Sequence, residues 1–181
     1  MSVTTSRAYL PTPNAAAIAA LRAALGEEAV STRELDRIAL AVDASHYLRT
    51  PDAVLRARSS HDVAVAMSVA RSLGWPLTLR SGGTSLSGQA ISDGILALIG
   101  EGFATYELSA DAKKVRVGPG IVGGEVNRRL APHGKKIGPD PASIGAAKIG
   151  GIAANNASGM CCGTSQNSYK TLAGLRVMLA D

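Results

Sequence analysis

Two separate segments of the sequence combine glycine with hydroxyl and amide side chains. Residues 80–89 read RSGGTSLSGQ, and residues 139–159 read PDPASIGAAKIGGIAANNASG. Glycine carries no Cβ, so several backbone N–H groups in such a segment can converge on one anion. One segment of this kind is a common turn, whereas two of them indicate a cofactor with a pyrophosphate group that is held along its length.

The first segment does not fit the phosphate loop of nucleoside triphosphatases. Gly83 and Gly88 have the required G-x-x-x-x-G spacing. Gln89 and Ala90 then stand where that loop needs a lysine and a serine or threonine. This chemistry is excluded because the segment lacks a cation for the phosphate and a hydroxyl for magnesium.

A literal G-x-G-x-x-G occurs at residues 118–123, but its surroundings do not suit a dinucleotide. Pro119 removes an N–H from the turn that would hold the phosphate. The region about 20 residues further on, 138–140, is predicted to be a turn and not a strand end with a ribose-binding acid. We therefore do not expect a nicotinamide dinucleotide bound in the Rossmann manner.

The composition indicates one ordinary globular domain. The chain has 181 residues, of which 46% are hydrophobic and 18% charged, enough to bury a sizeable core. Aromatic residues make up only 3%, which argues against the stacking surfaces of single-stranded nucleic-acid binders. The net charge of +5 is scattered along the chain, which predicts a solvated basic surface, with attraction of an anionic ligand as the alternative.

The cysteines and the hydropathy pattern bear on the compartment. Cys161 and Cys162 are adjacent, which excludes a disulfide scaffold and favours a reducing compartment. An iron–sulfur cluster needs about four thiolates, more than this chain has. No apolar run approaches the roughly 20 residues of a membrane-spanning helix. We expect a cytoplasmic protein, and leave open peripheral membrane association and, because the first acid is Glu27, an N-terminal targeting segment.

Periodicity and capping residues predict helices and strands in alternation. Asn14 is a candidate cap for a helix that Gly26 ends, and Ser31 and Glu34 have capping-box spacing for a second helix through Val42. Ser60 is the candidate cap of a third. Helices are predicted over 61–73 and 124–130, strands over 53–57, 76–80, 95–99, 115–117 and 175–179, and a loose arm over 1–13.

The strand–helix–strand order of residues 53–80 favours parallel pairing with a right-handed crossover. The first glycine-rich segment directly follows the second strand of this unit. Open α/β sheets bind ligands at the carboxyl ends of their strands. The segment is therefore predicted to lie where a ligand would bind.

These motifs carry a resemblance to a known family. The pattern Pro76-x-x-x-Arg80-Ser-Gly-Gly-Thr-Ser-Leu-Ser-Gly88 resembles the pyrophosphate loop of FAD-linked oxidases of the p-cresol methylhydroxylase and vanillyl-alcohol oxidase type. Residues 150–159 are similar to the second flavin-contact stretch of that family, and residues 175–181 to the strand that follows it. Residues 159–169 look most like large D-lactate dehydrogenase-type members, which carry FAD together with iron–sulfur domains.

The resemblance implies an α/β (α+β) fold, namely a two-lobed FAD-binding domain of the p-cresol methylhydroxylase type that is C-terminally incomplete. We expect an N-terminal helical segment over residues 1–42 and the FAD-binding domain over 43–181. The domain is predicted to divide into a β-α-β lobe over 43–105 and a truncated second lobe over 106–181. FAD is expected to lie between the two lobes.

The resemblance also implies which residues hold FAD. The first segment is expected to hold the pyrophosphate, and the second the isoalloxazine and the adjoining ribityl chain. Some relatives attach flavin covalently through a histidine just after the paired glycines, where this chain has Thr84, so non-covalent FAD is implied. The implied cofactor-binding residues are Ser81, Gly82, Gly83, Thr84, Ser85, Gly88, Gln89, Pro141, Ser143, Gly145, Gly150, Gly151, Asn155 and Ser158.

The implied function is the FAD-binding portion of an oxidoreductase that oxidises a small 2-hydroxy acid, of the D-lactate or glycolate type. The alternative is a non-catalytic dinucleotide-binding module or an inactive fragment of such an enzyme. No catalytic residue is assigned, since His46, His61 and His133 are expected at the surface or at helix caps. Any iron–sulfur cluster is expected only in a C-terminal region that the chain lacks, and the electron acceptor stays open.

Overall fold

A computed structural model describes residues 14–179, so the arm predicted over residues 1–13 lies outside the described residues. The first part of the chain forms α1 (Ala15–Leu25), β1 (Val30–Ser31), α2 (Glu34–Ala39), β2 (Ala53–Ala57), α3 (Ser60–Ser72), β3 (Leu77–Arg80) and β4 (Ile95–Ile99). The second part forms β5 (Tyr106–Leu108), β6 (Val115–Val117), α4 (Gly123–Leu130), α5 (Ile149–Ala154) and α6 (Ser168–Thr171). This mixture of helices and a mixed sheet is the α/β (α+β) class that the sequence predicts.

Four strands form one sheet in the order β1-β2-β4-β3. The strands β2, β4 and β3 run parallel, with Ala53 beside Ile95 and Leu77 also beside Ile95. The edge strand β1 is antiparallel to β2. The strands β2 and β3 are parallel, which confirms the predicted β-α-β unit with α3 as the crossover. However, β4 lies between them, so the two strands do not pair directly.

Local sequence explains why α1 and α3 begin where they do. The Asn14 side chain accepts a hydrogen bond from the Ala17 N–H, which confirms the predicted cap of α1. Ser59, one residue before the predicted cap, accepts from the Asp62 N–H at the start of α3. The Ser59 hydroxyl also donates to an Asp62 carboxylate oxygen at 2.8 Å, so two hydrogen bonds link the capping residue to the first turn of α3.

The main core lies between the sheet and two helices. The apolar faces of α1 and α3 pack on β2 and β4, whose side chains are almost completely buried. The largest members of this core are Leu21, Leu55 and Ile95. Because α1 shares this core, the N-terminal helix is packed against the β-α-β unit.

The antiparallel pair β5–β6 and the helix α4 form a second, smaller core around Ile121, Val126 and Leu130. The sequence predicted β6 and α4, but not the short strand β5. A three-residue strand in a polar stretch carries too little periodicity to be seen without its partner.

Two predicted elements are wrong. The capping box does not form, because Ser31 belongs to β1 and its hydroxyl bonds Asp36, while α2 begins after Arg33 without a side-chain cap and ends at Ala39. Residues 175–179 form no strand within the described part of the chain, and their side chains are exposed. An apolar segment of this kind needs a neighbouring strand for its backbone N–H and C=O groups before it becomes a strand.

Candidate cofactor site

The first glycine-rich segment leaves the sheet at the carboxyl end of β3. Arg80, the last residue of β3, pairs with Leu98 of the parallel strand β4. Ser81, the first residue after β3, therefore lies beside Ile99, the last residue of β4, about one strand spacing away. Residues 81–90 then form a loop without regular secondary structure.

The Arg80 side chain holds this loop in place through hydrogen bonds to backbone carbonyls. One guanidinium nitrogen, Nη1, lies 2.8 Å from the carbonyl oxygen of Val42, 3.0 Å from that of Ala90 and 3.4 Å from that of Leu40. Burial lowers the pKa of Arg80, and the neighbouring Asp43 carboxylate opposes that effect. Arg80 Nη1 therefore links the end of the loop, at Ala90, to the backbone that follows α2, at Leu40 and Val42.

Asp43 supports the same arrangement from the preceding turn. Its carboxylate accepts hydrogen bonds from the backbone N–H groups of Ser45, at 2.9 Å, and Ala90, at 3.2 Å. Burial acts to raise the pKa of Asp43, but the hydrogen bonds from Ser45 and Ala90 and the charge of Arg80 outweigh it, so the pKa lies below its usual value. A carboxylate at this position stays ionised and keeps Arg80 charged.

Two glycines of the loop have backbone conformations that favour glycine. Gly83 has a φ of +69°, and its carbonyl oxygen accepts a hydrogen bond from the Ala44 N–H. Gly88 has a φ of +73°, and a Cβ there would lie 2.9 Å from the Tyr47 ring. Gly88 therefore serves the packing of the loop against the preceding turn.

The Ser85 hydroxyl closes the far end of the loop. It accepts hydrogen bonds from the backbone N–H groups of Ser87 and Gln89 and donates to the Gln89 side-chain oxygen, all at 3.2 Å. Ser85 and Gln89 thus hold each other. Their side chains are engaged within the loop.

The tip of the loop presents a row of backbone donors. Within residues 14–179, the N–H groups of residues 82–85 have no hydrogen-bond acceptor. These residues are exposed or half-buried, and Gly82 and Gly83 leave the backbone open to a close approach. Successive unpaired N–H groups of this kind form a concave site for an anion.

The second glycine-rich segment lies directly against this loop. A Cβ at Gly82 would lie 2.6 Å from the Ala146 carbonyl oxygen and 3.4 Å from the Lys148 nitrogen. A Cβ at Gly151, in α5, would lie 3.7 Å from the Ser81 Cβ and 4.0 Å from its Oγ. The structure therefore brings the two predicted segments into backbone contact.

The glycines of the second segment have different roles. A Cβ at Gly150 would lie 2.7 Å from the Pro119 Cβ, so Gly150 serves packing between the second segment and the turn before α4. A Cβ at Gly145 would meet nothing within 4 Å, and Gly151 has only ordinary contacts. Gly145 and Gly151 are thus positions of the segment where a Cβ would meet no close neighbour.

Pro141 and Ser158 lie near each other. Gly159, next to Ser158, approaches the backbone of Asp140 and Pro141 so closely that a Cβ there would overlap the Asp140 carbonyl. The Ser143 carbonyl accepts hydrogen bonds from the N–H groups of residues 146 and 147 and so forms a tight turn.

The Asn155 side chain donates to the Gly151 carbonyl at 3.1 Å, so its amide group ends α5.

Lys148 is a feature that sequence reasoning missed. Its ammonium nitrogen lies 2.7 Å from the Ile99 carbonyl oxygen, at the carboxyl end of β4, and its side chain is half-buried. The lysine thereby joins the second segment to the sheet. No periodicity or motif distinguishes this lysine from the surface lysines of the chain.

The three histidines lie away from any acid–base arrangement. His46 is exposed and contacts the Tyr47 ring, with ring centroids 4.1 Å apart. His61, in α3, and His133, the last residue of a short 3-10 helix, are also exposed. Cys161 is exposed and Cys162 buried, and both are free thiols. Among residues 14–179, no group of histidine, cysteine and acidic side chains could hold a metal ion.

The literal G-x-G-x-x-G at residues 118–123 is a packing motif. A Cβ at Gly118 would overlap the Phe103 carbonyl, and one at Gly120 would overlap the Gly100 carbonyl. A Cβ at Gly123 would lie 2.5 Å from a side-chain carbon of Ile144. These glycines allow close approach of backbone and side chains.

The model of the FAD binding domain family matches residues 51–181 of this chain. The chain therefore belongs to this family of FAD binding domains, which confirms the resemblance drawn from residues 76–88 and 150–159. The structure fits such a cofactor, because the loop whose N–H groups are unpaired lies against the segment that contains Gly145 and Gly151.

Curated relatives share about a third of their residues with the chain over the matched regions. D-2-hydroxyglutarate dehydrogenase of Pantoea ananatis is 31% identical over 153 residues, which cover 82% of this chain and 15% of the relative. Glycolate oxidase subunit GlcD of Escherichia coli is 31% identical over 120 residues, 65% of this chain and 24% of the relative. D-lactate dehydrogenase of Archaeoglobus fulgidus is 30% identical over 133 residues, 71% of this chain and 29% of the relative. The chain thus spans between about a seventh and under a third of the length of these relatives.

Solved structures share the fold. An alkyldihydroxyacetonephosphate synthase superposes with a TM-score of 0.73 at 17% identity, covering 92% of this chain and 35% of that chain. The 6-hydroxy-D-nicotine oxidase of Arthrobacter nicotinovorans superposes with a TM-score of 0.67 at 22% identity, covering 78% and 31%. These matches confirm the predicted fold class. The matched region is about a third of each of those chains.

Proposed function

We propose that this chain is the FAD-binding portion of a flavin-dependent oxidoreductase that oxidises a 2-hydroxy acid. The observation that carries the proposal is the backbone contact between the loop 81–85 and the segment 145–151, with unpaired N–H groups at its edge. Two glycine-rich segments that close on one space suit a ligand with a diphosphate and an attached flat ring.

The proposed roles follow from the hydrogen-bond donors and the open space that each residue offers to a ligand. The N–H groups of residues 82–85 would donate to the diphosphate oxygens, and the Ser81 hydroxyl faces the same space beside Gly151. Gly145 and Gly151 would allow the ligand to lie against backbone. When bound, FAD supplies the capacity to accept two electrons from the substrate. The chain's own part is to hold and orient that group.

We further propose that FAD is held without a covalent bond. Thr84 stands at the position where some family members carry the attached histidine, and a threonine hydroxyl does not form that link. His46 follows Asp43 in the turn that supports the loop, and its ring contacts the Tyr47 ring. Extraction with acid should therefore release all of the flavin.

The substrate class is proposed from the curated relatives, whose names refer to D-2-hydroxyglutarate, glycolate and D-lactate. We assign substrate binding and proton removal to the part of such proteins that this chain does not span. Any iron–sulfur cluster would also lie there, since two adjacent cysteines cannot supply its ligands.

The adjacent free thiols suit a reducing compartment, and we place the protein in the cytoplasm. No helix among residues 14–179 has the length and apolar character to cross a membrane.

Cofactor binding is tested on the purified 181-residue chain. Titration with FAD should give a yellow protein that absorbs near 450 nm, a property of the flavin itself (about that wavelength). With an artificial electron acceptor, this chain alone should not turn over D-lactate, glycolate or D-2-hydroxyglutarate. A chain that stays colourless at saturating FAD would overturn the proposal.

A chimera tests whether this chain can serve as the FAD-binding portion of a 2-hydroxy-acid dehydrogenase. Residues 51–181, which the family model matches, would replace the corresponding segment of the Pantoea ananatis D-2-hydroxyglutarate dehydrogenase, and the product is assayed for FAD content and for 2-hydroxy-acid oxidation. We expect a flavoprotein that oxidises D-2-hydroxyglutarate, and a matched chimera with Gly145→Val that does not. A folded, FAD-loaded chimera without activity on any 2-hydroxy acid would contradict the assignment.

A further inference from the structure

Lys148 is a cation at the junction of the two glycine-rich segments. Its backbone nitrogen lies beside Gly82, where a Cβ would be 3.4 Å away, and its ammonium nitrogen lies 2.7 Å from the Ile99 carbonyl oxygen. Because Ser81 lies beside Ile99 at the carboxyl end of the sheet, the ammonium group lies near the start of the loop. Both ends of this lysine are therefore placed at the candidate cofactor site.

The charge of Lys148 is not balanced by an acid. An ammonium group has three N–H donors, and the Ile99 carbonyl takes one of them. Within residues 14–179, no carboxylate forms an ion pair with Lys148, whereas Lys136 pairs with Asp140 at 3.1 Å. The side chain is half-buried, and removing a charge from water is unfavourable unless the charge is paired.

We propose that Lys148 is the counter-charge for the diphosphate of the bound dinucleotide. The neighbouring loop offers only neutral N–H donors at residues 82–85. The Arg80 guanidinium lies beside the Asp43 carboxylate and donates from Nη1 to backbone carbonyls, so its charge is already balanced. The Ile99 carbonyl fixes the ammonium group at the carboxyl edge of the sheet and leaves two donors for an anion. This inference rests on the proposed FAD binding and adds a residue that decides affinity for the charged part of the ligand.

Three variants separate charge from mere packing. Lys148→Met removes the charge and keeps an unbranched chain, Lys148→Gln keeps a donor for the Ile99 carbonyl without the charge, and Lys148→Arg keeps the charge. Lys113→Met, in the exposed turn between β5 and β6, is the matched control for loss of one positive charge. Each chain is titrated with FAD by flavin fluorescence at low and high salt.

We expect the dissociation constant for FAD to rise by roughly 10- to 100-fold in both neutral variants, as for loss of a hydrogen bond to a charged group. The arginine variant and the Lys113 control should stay within about threefold. The affinity of both neutral variants should also depend less on salt than that of the wild type, since salt screens the attraction between unlike charges.

Stability without ligand gives an independent readout. Without FAD, Lys148→Met should melt close to the wild-type temperature, because the loss of the hydrogen bond to the Ile99 carbonyl is offset by the removal of an unpaired half-buried charge. With saturating FAD, its gain in melting temperature should be smaller than that of the wild type. A purely structural tie to Ile99 would instead lower the melting temperature without FAD and leave the salt dependence unchanged, and that result would overturn the proposal.

The outcomes also distinguish the inference from the proposed function. If the wild type does not bind FAD, the proposed function fails. If the wild type binds FAD and Lys148→Gln binds it as tightly as Lys113→Met does, only the counter-charge is wrong. Should Lys148→Met fail to fold, the Lys148→Gln titration decides the matter, because glutamine keeps an uncharged donor for the Ile99 carbonyl.

Discussion

Gly82 of the first glycine-rich loop faces the Ala146 carbonyl of the second segment so closely that a Cβ would lie 2.6 Å from that oxygen. Real Cβ atoms do not come this close to a backbone oxygen, so only glycine allows the two segments to meet. The contact joins the loop after β3 to the turn before α5. It makes one site from two stretches that are distant in sequence.

Substitution of Gly82 by alanine should therefore separate the two segments. We expect Gly82→Ala to lower the free energy of unfolding by about 1–3 kcal/mol, since the backbone must shift to relieve the overlap. FAD affinity should fall at the same time. Urea unfolding and FAD titration measure both effects.

The control for this substitution is Gly100→Ala, because a Cβ at Gly100 would meet nothing within 4 Å. That variant should keep the wild-type stability and FAD affinity. If Gly82→Ala binds FAD as tightly as Gly100→Ala, the contact between the segments is not needed for the site.

Gly145 allows a cleaner test of ligand contact, since the space around it is open. Gly145→Val should leave the free energy of unfolding within about 0.5 kcal/mol of the wild type, as is usual for an exposed position. If the ligand lies against this backbone, the same change should weaken FAD binding by roughly tenfold or more, equivalent to about 1.4 kcal/mol. Calorimetry without ligand and fluorescence titration with FAD give the two numbers.

Gly174→Val is the matched control, because a Cβ there also meets nothing within 4 Å and the residue lies in the exposed segment after α6. It should change neither quantity. Equal FAD affinity of the Gly145 and Gly174 variants would show that the ligand does not contact residue 145.

The sequence predicted the two glycine-rich segments but not the role of each glycine. A motif gives residue types and spacing, whereas the direction of each missing Cβ depends on tertiary packing. Gly150 and Gly151 are neighbours, yet Gly150 faces Pro119 while Gly151 faces Ser81. The sequence alone could therefore not separate packing glycines from ligand-facing ones.

The predicted elements succeeded where the local pattern is strong. The apolar strands β2 and β4 and the capped helix α3 carry clear signals, and the structure confirms them. Residues 175–179 have the same apolar pattern, but within the described chain no strand lies beside them. Strand formation there depends on a partner that a local pattern does not reveal.

Arg80 donates to three carbonyl oxygens, so we expect it to stabilise the loop and not to bind the ligand. Arg80→Met would leave the carbonyls of Val42 and Ala90 without this donor, and we expect a loss of about 2 kcal/mol in the free energy of unfolding. The loop should also become more sensitive to proteases between residues 81 and 90. Urea unfolding and limited proteolysis with mass spectrometry check both results.

Arg116→Met provides the comparison, because Arg116 is 85% exposed and forms only a surface ion pair with Glu107. Such a pair contributes about 0–1 kcal/mol. If both arginine variants lose the same stability and the loop stays resistant to proteases, Arg80 does not hold the loop.

Asp52 predicts a pH dependence of stability that is independent of the cofactor site. Its side chain is buried, its Oδ1 atom has no hydrogen-bond partner within the described residues, and Arg37 lies nearby. Burial raises the pKa of Asp52, and the hydrogen bond from Trp75 and the charge of Arg37 only partly oppose it. The folded state therefore holds the proton more tightly than the unfolded chain does. Stability should fall as the pH rises from the ordinary aspartate pKa through the raised one.

Asp52→Asn should remove this loss, because asparagine stays neutral at every pH. We expect the variant to gain stability relative to the wild type as the pH rises through that window, and to keep the gain at pH 7. Glu107→Gln, which removes a carboxylate from an exposed ion pair with Arg116, corrects for the change in net charge. Urea unfolding at a series of pH values measures the differences. If Asp52→Asn loses stability at neutral pH relative to Glu107→Gln, the Asp52 carboxylate is stabilised by Arg37 more than it is penalised by burial.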